Sequence, residues 1–151
     1  MKLRALIVED CARMRKMLMR ILPLTGVAEF QFTEAEDGLE ALAKFDPKKI
    51  DIVFADWMMP RLTGIDFVRK VRASGMADHI PIVMVTGENT MGNVQDALDG
   101  AGADLYITKP YTVDELREKL KKVMDRLAAE RHEHPAPERP GFFRQVLGDL
   151  G

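Results

Sequence analysis

Cysteine is nearly absent from this chain. Cys11 stands alone among 151 residues, which excludes an internal disulfide and a zinc site built on paired cysteines, and fits a reducing compartment. Long hydrophobic runs are missing as well. The segment from Met1 to Asp10 holds too short an apolar run for a secretory signal, and nothing approaches the ~20 apolar residues that cross a bilayer, so a cytoplasmic chain without membrane insertion is expected. Excess basic charge is lacking too: 22 Lys and Arg face 24 Asp and Glu, a net charge of −2, so no global positive field draws nucleic acid. Of only 3 histidines, His132 and His134 sit in a Pro-rich charged tail where solvation, not metal binding, is the expected fate. What is present, 46% apolar and 30% charged residues, supplies one domain with a full core and leaves no room for a second catalytic domain.

The chain is organised around the stretch from Asp51 to Gly64. Ile52, Val53, Phe54 and Ala55 lack polar alternation, which predicts a short strand buried on both faces of a parallel sheet. Asp56 then emerges at the carboxyl end, the edge where open α/β sheets bind ligands, and Pro60 and Gly64 shape the loop before the helical spacing of Ile65, Val68 and Val71. A carboxylate displayed there can accept a group or hold a metal; a lone Asp more often caps the following turn.

The other elements repeat this pattern. Leu3, Ala5, Leu6, Ile7 and Val8 predict a first buried strand that ends on two adjacent acids, Glu9 and Asp10. Met14, Met17, Leu18 and Ile21 fall at helical spacing, with Arg13, Arg15, Lys16 and Arg20 on the other faces, until Pro23 ends the pattern. Val27, Ala28, Phe30 and Phe32 predict a second strand. Asp37 and Gly38 open a helix with Leu39, Leu42 and Phe45 on its apolar side. A helix from Gly64 to about Ala73 leads to a fourth strand, Pro81 to Val85, that ends at Thr86 and Gly87. The helix from Asn93 to Ala101 is the weakest, with only Val94, Ala97 and Leu98 as apolar support. Leu105 to Thr108 forms a fifth strand, followed at once by Lys109 and Pro110. Thr112 and Glu115 then have capping-box spacing ahead of a stripe of Leu116, Leu120, Val123 and Leu127 that runs to about Ala129. Five strands alternating with five helices predict an α/β fold, a parallel sheet covered on both faces. Right-handed crossovers bring all carboxyl ends to one edge, which collects Glu9, Asp10, Asp56, Thr86 and Lys109.

Three carboxylates on one edge need neutralisation, and oxygen ligands without His or Cys select a hard cation; Mg²⁺ is the one that keeps waters and bridges to phosphate. Lys109 adds a point charge for one phosphate oxygen and the Thr86 hydroxyl a donor for another. The set suits phosphoryl transfer to Asp56, a reaction catalysed mostly by positioning and charge neutralisation.

Val8-Glu9-Asp10, Asp56-Trp57-Met58-Met59-Pro60 with Gly64, Thr86-Gly87-Glu88, Gly102-Ala103-Asp104-Leu105-Tyr106 and Lys109-Pro110, in this order, resemble the receiver domain of CheY-like response regulators. The resemblance covers residues 3 to about 127. It implies a flavodoxin-like, doubly wound sheet of order 2-1-3-4-5, an order for which CheY is itself the standard example and which is carried over from the family. It further implies that Asp56 accepts a phosphoryl group from a phosphohistidine on a sensor histidine kinase or histidine phosphotransfer protein. Glu9, Asp10, Asp56 and the backbone carbonyl of Met58 would hold Mg²⁺; Lys109 and Thr86 would contact the phosphoryl group; and Thr86 would draw Tyr106 inward as a switch. A cis peptide at Lys109-Pro110 is implied too. The chain departs from the family pattern where Glu9 replaces a frequent Asp, where Met58 stands in place of a commoner polar residue, and where Cys11 follows the acids.

Rival readings keep their own requirements. A flavodoxin needs a phosphate-cradling Ser/Thr/Gly loop after the first strand, where this chain has Glu9, Asp10 and Cys11. An aspartyl-phosphate phosphatase wants a second acid just after the nucleophile, and Trp57, Met58 and Met59 offer none. That phosphatase, or a phosphate-sink receiver without a dedicated output, is the alternative. A plain binding module would lack one of Asp56, Thr86 or Lys109. Tyr106 also reads as an ordinary half-buried strand aromatic. The expected organisation is a receiver domain over 1–129, a Pro-rich charged linker over 130–141, and a short amphipathic segment over 142–151 with Phe142, Phe143, Val146, Leu147 and Leu150 on one helical face. With no output domain following in the sequence, the signal is expected to leave through a protein partner. Its expected docking surface is the face of the fourth helix, fifth strand and fifth helix, where the terminal segment would compete in a weakly docked state.

Overall fold

The computed structural model describes residues 2–57, 59, 61–87 and 100–133, with Thr86 and residues 130–133 described by their backbone alone. Along it run β1 (Lys2–Val8), α1 (Ala12–Leu24), β2 (Glu29–Ala35), α2 (Gly38–Lys44), β3 (Ile52–Ala55), α3 (Gly64–Ala73), β4 (Ile82–Thr86), β5 (Leu105–Thr108) and α4 (Val113–Glu133). The five strands form one parallel sheet of order β2-β1-β3-β4-β5. Among the described residues there are four helices. Most of the helix expected over 93–101 lies outside them, as do the linker beyond Glu133 and the terminal segment; α4 is the fifth helix of the sequence reading and runs four residues past Ala129. No helix among the described residues is long and apolar enough to cross a membrane.

Uninterrupted apolar strands make sense once strand parity is followed. Successive side chains point to opposite faces, so Val53 and Ala55 join Leu6, Val8, Ile82 and Met84 against Phe67 and Val68 of α3. Ile52 and Phe54 join Leu3, Ile7, Val83 and Ile107 against Leu18 and Leu22 of α1 and Leu116 and Leu120 of α4. Each fully buried side chain of this size stabilises the fold by roughly 1.5–3 kcal/mol. β2, at the edge, alternates between exposed and half-buried residues from Glu29 to Glu34 because only one of its faces is covered.

Helix starts follow their side chains. Asp37 Oδ1 accepts from Glu40 N at 2.8 Å to cap α2, Thr63 Oγ1 accepts from Asp66 N at 3.2 Å to cap α3, and Thr112 Oγ1 accepts from Glu115 N at 3.1 Å at the start of α4. α1 differs from expectation. Its buried residues are Arg15, Leu18 and Leu22, Met17 is 42% exposed, and Pro23 falls inside the last turn. The sheet face selects the spacing 15, 18, 22, so an arginine enters where methionines were expected. Leu39, placed on the apolar side of α2 by its spacing, is 48% exposed, because Ala41 is the residue that turns toward the sheet.

Candidate functional site

Register builds the site. Val8 pairs with Ala35 on one side and Ala55 on the other, and the ladder continues as Glu9 N donates to Ala35 O at 3.0 Å and Asp56 N to Val8 O at 2.9 Å. Glu9, Asp10 and Asp56 therefore leave the sheet side by side. One carboxylate oxygen from each lies within 4.8 Å of those of the other two. Thr86 pairs with Thr108 at the ends of β4 and β5, so Lys109 is released toward the same edge. Its Nζ lies 3.3 Å from Asp56 Oδ2 and 3.7 Å from Glu9 Oε1.

The Lys109-Pro110 peptide is cis. The Thr86 side chain and the whole of Met58 lie outside the described residues. Thus four of the expected site residues, Glu9, Asp10, Asp56 and Lys109, are brought together by their side chains, and Thr86 is placed by its backbone only.

Burial makes the site electrostatically tense. Glu9 is 7% exposed and the Asp56 side chain 11%, while Asp10 is exposed. Burial pushes Glu9 up to about 8; a hydrogen bond shared with Asp56 and the negative charges of Asp56 and Asp10 act in the same direction, against the pull of Lys109. Behind the acids is a small cavity lined by Glu9, Asp56, Lys109, Tyr111, Met14 and Leu18. Its apolar wall explains why burial dominates. The same burial, with the charge of Glu9, raises the Tyr111 hydroxyl above the usual tyrosine range.

A hard cation fits these residues. Glu9 Oε2 is buried without a hydrogen-bond partner among the described residues, and a buried carboxylate oxygen left this way calls for one. With all three acids ionised, Lys109 alone leaves an uncompensated charge of two, that of a divalent ion, and an all-oxygen donor set matches Mg²⁺.

The loop between β3 and α3 is packed closely against the acid. A Cβ at Gly64 would fall 1.9 Å from the Asp56 carbonyl oxygen, so only glycine lets the amino end of α3 approach there. Gly64 N donates to Trp57 O at 3.0 Å, and Trp57 is half-buried against the core. Tyr106 is half-buried on β5, with Lys119 Nζ donating to its carbonyl at 3.0 Å and lying 4.6 Å from its ring centroid. Cys11 is exposed at the N-cap of α1 and makes no capping bond through its side chain.

Sequence reading missed two arginines next to the site. Arg15 Nη1 donates to the Glu9 carbonyl at 2.6 Å, and Arg61 pairs with Asp37. The spacing of Arg15 with Leu18 and Leu22 was the available signal for the first; no local signal marks the second.

Comparison with known proteins gives the same geometry a family. The family model described as the response regulator receiver domain matches residues 5–121. The chain is 36% identical over 125 residues to the chemotaxis protein CheY of Pseudomonas aeruginosa, spanning 83% of this chain and 98% of that protein. It is 38% identical over 125 residues to CheY-3 of Vibrio cholerae, spanning 83% and 94%. Among solved structures, the fold resembles Vibrio cholerae CheY4 with a TM-score of 0.70 at 32% identity, covering 82% of this chain and 99% of that one. It also resembles a CheY-like receiver domain protein of Methanospirillum hungatei with a TM-score of 0.71 at 30% identity, covering 86% and 99%. A parallel sheet of order 2-1-3-4-5 carrying clustered acids and a lysine at its carboxyl edge, matched over most of its length by these relatives, places the chain in the response regulator receiver domain family, the signalling domains of two-component systems.

Proposed function

We propose that Asp56 is the phosphoacceptor of a cytoplasmic two-component relay, taking its phosphoryl group from a phosphohistidine on a sensor histidine kinase or histidine phosphotransfer protein. The observation that carries this reading is the Lys109 ammonium 3.3 Å from Asp56 Oδ2, inside a cluster whose three acids converge within 4.8 Å. An Asp56 carboxylate oxygen attacks phosphorus, the P–N bond to the imidazole breaks, and the imidazole nitrogen keeps the electron pair. A carboxylate nucleophile needs no separate base, so the remaining work is positioning and charge neutralisation. Glu9, Asp10, Asp56 and the Met58 carbonyl would hold Mg²⁺, which when bound neutralises charge on the phosphoryl oxygens. Lys109 holds one of those oxygens and the Thr86 hydroxyl donates to another. Water later cleaves the acyl phosphate, so the domain catalyses only its own phosphorylation and dephosphorylation.

Output passes by protein contact. Engagement of Thr86 draws Tyr106 inward, and a partner reads the face made by the segment before β5, β5 itself and α4. The half-buried position of Tyr106 beneath Lys119 supports this assignment.

Incubation with a small acyl phosphate tests the acceptor. One base-labile phosphoryl group should appear by mass spectrometry only when Mg²⁺ is present, and none in Asp56→Asn. Undiminished labelling of that variant would overturn the assignment.

A further inference from the structure

Glu34 near the carboxyl end of β2 and Asp37 in the turn just beyond it each engage an arginine, Arg15 from α1 and Arg61 from the loop after Asp56. Glu34 Oε1 accepts from Arg15 Nε at 2.9 Å, while the same guanidinium donates through Nη1 to the Glu9 carbonyl at 2.6 Å. Arg15 is 8% exposed. A guanidinium presents its N–H groups in a rigid planar fork, so the Glu9 carbonyl is set relative to Glu34 and is not left to the loop. That carbonyl belongs to the peptide joining Glu9 to Asp10. Fixing it fixes the directions in which both acid side chains depart.

Three residues further on, Asp37 does the same for the loop after Asp56. It is 4% exposed. Its Oδ1 caps α2, and its Oδ2 accepts from Arg61 Nε at 2.9 Å and from Arg61 Nη2. Arg61 has φ +68, a left-handed conformation uncommon for a residue with a Cβ, and one that the surrounding contacts must hold. Next to it, Leu62 O accepts from Gly38 N at 3.2 Å, and a Cβ on Gly38 would come within 2.5 Å of that oxygen. The loop between Asp56 and Gly64 is thus pinned to the β2–α2 turn by an ion pair and a backbone bond, across a contact only glycine permits.

We infer that Glu34 and Asp37, acting through Arg15 and Arg61, are positioning residues for the Mg²⁺ and phosphoryl site: the edge strand sets the separation of the two loops that carry Glu9, Asp10 and Asp56. This rests on the metal reading above. The clamps touch neither phosphoryl group nor metal; they decide where the ligands stand. Two features favour this over a general packing role. Arg15 binds the backbone carbonyl of Glu9 itself, and Arg61, which belongs to the loop following Asp56, is held by Asp37 in an unusual backbone conformation.

The test is a Mg²⁺ titration of the full chain followed by the emission of Trp57, its only tryptophan, with the midpoint and not the amplitude taken as the readout, alongside thermal unfolding without Mg²⁺. Arg15→Met and Arg61→Ala should each weaken Mg²⁺ binding by about tenfold, the size expected when a partner that orients ligands is lost. Arg15→Lys, which keeps the charge but not the fork, should recover part of the loss. Arg69→Ala, removing an exposed pair with Asp66 within α3, should leave the midpoint unchanged. Midpoints within about twofold of the wild type in folded Arg15→Met and Arg61→Ala proteins, whatever their melting temperatures, would reduce the clamps to packing and overturn the inference. Because the Arg61 side chain is 60% exposed, Arg61→Ala carries the test if Arg15→Met does not fold. A wild-type protein with no saturable response would overturn the metal reading itself, a result distinguishable from unchanged midpoints in the variants.

Discussion

The two ends of the sheet are fastened by similar chemistry for different ends. At the β2 end, Arg15 reaches from α1 to the Glu9 carbonyl, and Arg61 reaches from the loop after Asp56 to Asp37. At the β5 end, Asp104 gathers Arg72 Nη2 at 2.8 Å, Arg126 Nη1 at 3.0 Å and the Ile82 amide at 2.8 Å. Arg72 also donates to the carbonyls of Gly102 at 3.0 Å and Ala77 at 2.5 Å. The first set of clamps adjoins the clustered acids Glu9, Asp10 and Asp56; the second ties α3, the start of β4, β5 and α4 together on the far side, away from the acids. On the positioning role proposed above, charged networks divide between placing ligands and closing the fold, and their location tells which is which.

The strongest disturbance should be to what the two ends share. Phe54 lies at the centre of the sheet and is 1% exposed; Phe54→Ala removes its contacts and leaves a cavity, costing about 3–5 kcal/mol. Urea unfolding should show that loss as one cooperative transition, and separate transitions for the two ends would mean that they do not share one core. Asp104→Ala comes next. Removing one member of a mostly buried ion-pair network costs about 3 kcal/mol, yet the Mg²⁺ midpoint should stay where it is, and a shifted midpoint would erase the distinction between the ends.

Glu9 sets a pH dependence at the acid end alone. Its pKa rises to about 8 in the folded domain, so without metal the folded state holds a proton that the unfolded chain releases from its ordinary carboxylate range upward. Stability contributed by that proton is therefore full at low pH and is lost as pH rises toward about 8. Metal binding requires the ionised form, so Mg²⁺ affinity should increase by up to about tenfold per pH unit below that value and level off above it. Titrations in steps from pH 6 to 9 check this, with Glu9→Gln expected to flatten the curve; a wild-type affinity independent of pH would show that Glu9 is not titrating against the ion. The smallest effect belongs to Lys119→Met. Losing the cation over Tyr106 should cost about 0.5–1 kcal/mol and speed exchange of the Tyr106 ring between environments, read by fluorotyrosine NMR, with Mg²⁺ affinity unchanged.

Much of the fold was legible because its signals are local. Four-residue apolar runs ending at Asp56 and Thr86, the Thr112 cap and the stripe from Leu116 to Leu127 each carry their reason within a few residues. The convergence of Glu9, Asp10, Asp56 and Lys109 followed from a single topological rule applied to those strands. α1 was less legible. Its methionines and Leu18 fit several helical faces equally, and the sheet chose the one with Arg15 and Leu22. Leu39 and Ala41 were decided the same way on α2.

The sequence alone determined the element order, the parallel class of the sheet and the edge that gathers the acids, since strand length, side-chain parity and crossover handedness are short-range steric properties of the chain. Tertiary structure alone decided the pairings around that edge. Arg15 meets Glu34 across 19 positions and Arg61 meets Asp37 across 24; Lys109 reaches Asp56 across 53. A charge has many possible partners along a chain of mixed sign. Which one it finds depends on the ladder register and on the connections that lay distant segments side by side, and so does the buried Glu9 oxygen that has no hydrogen-bond partner among the described residues, because desolvation exists only once the core has closed around it.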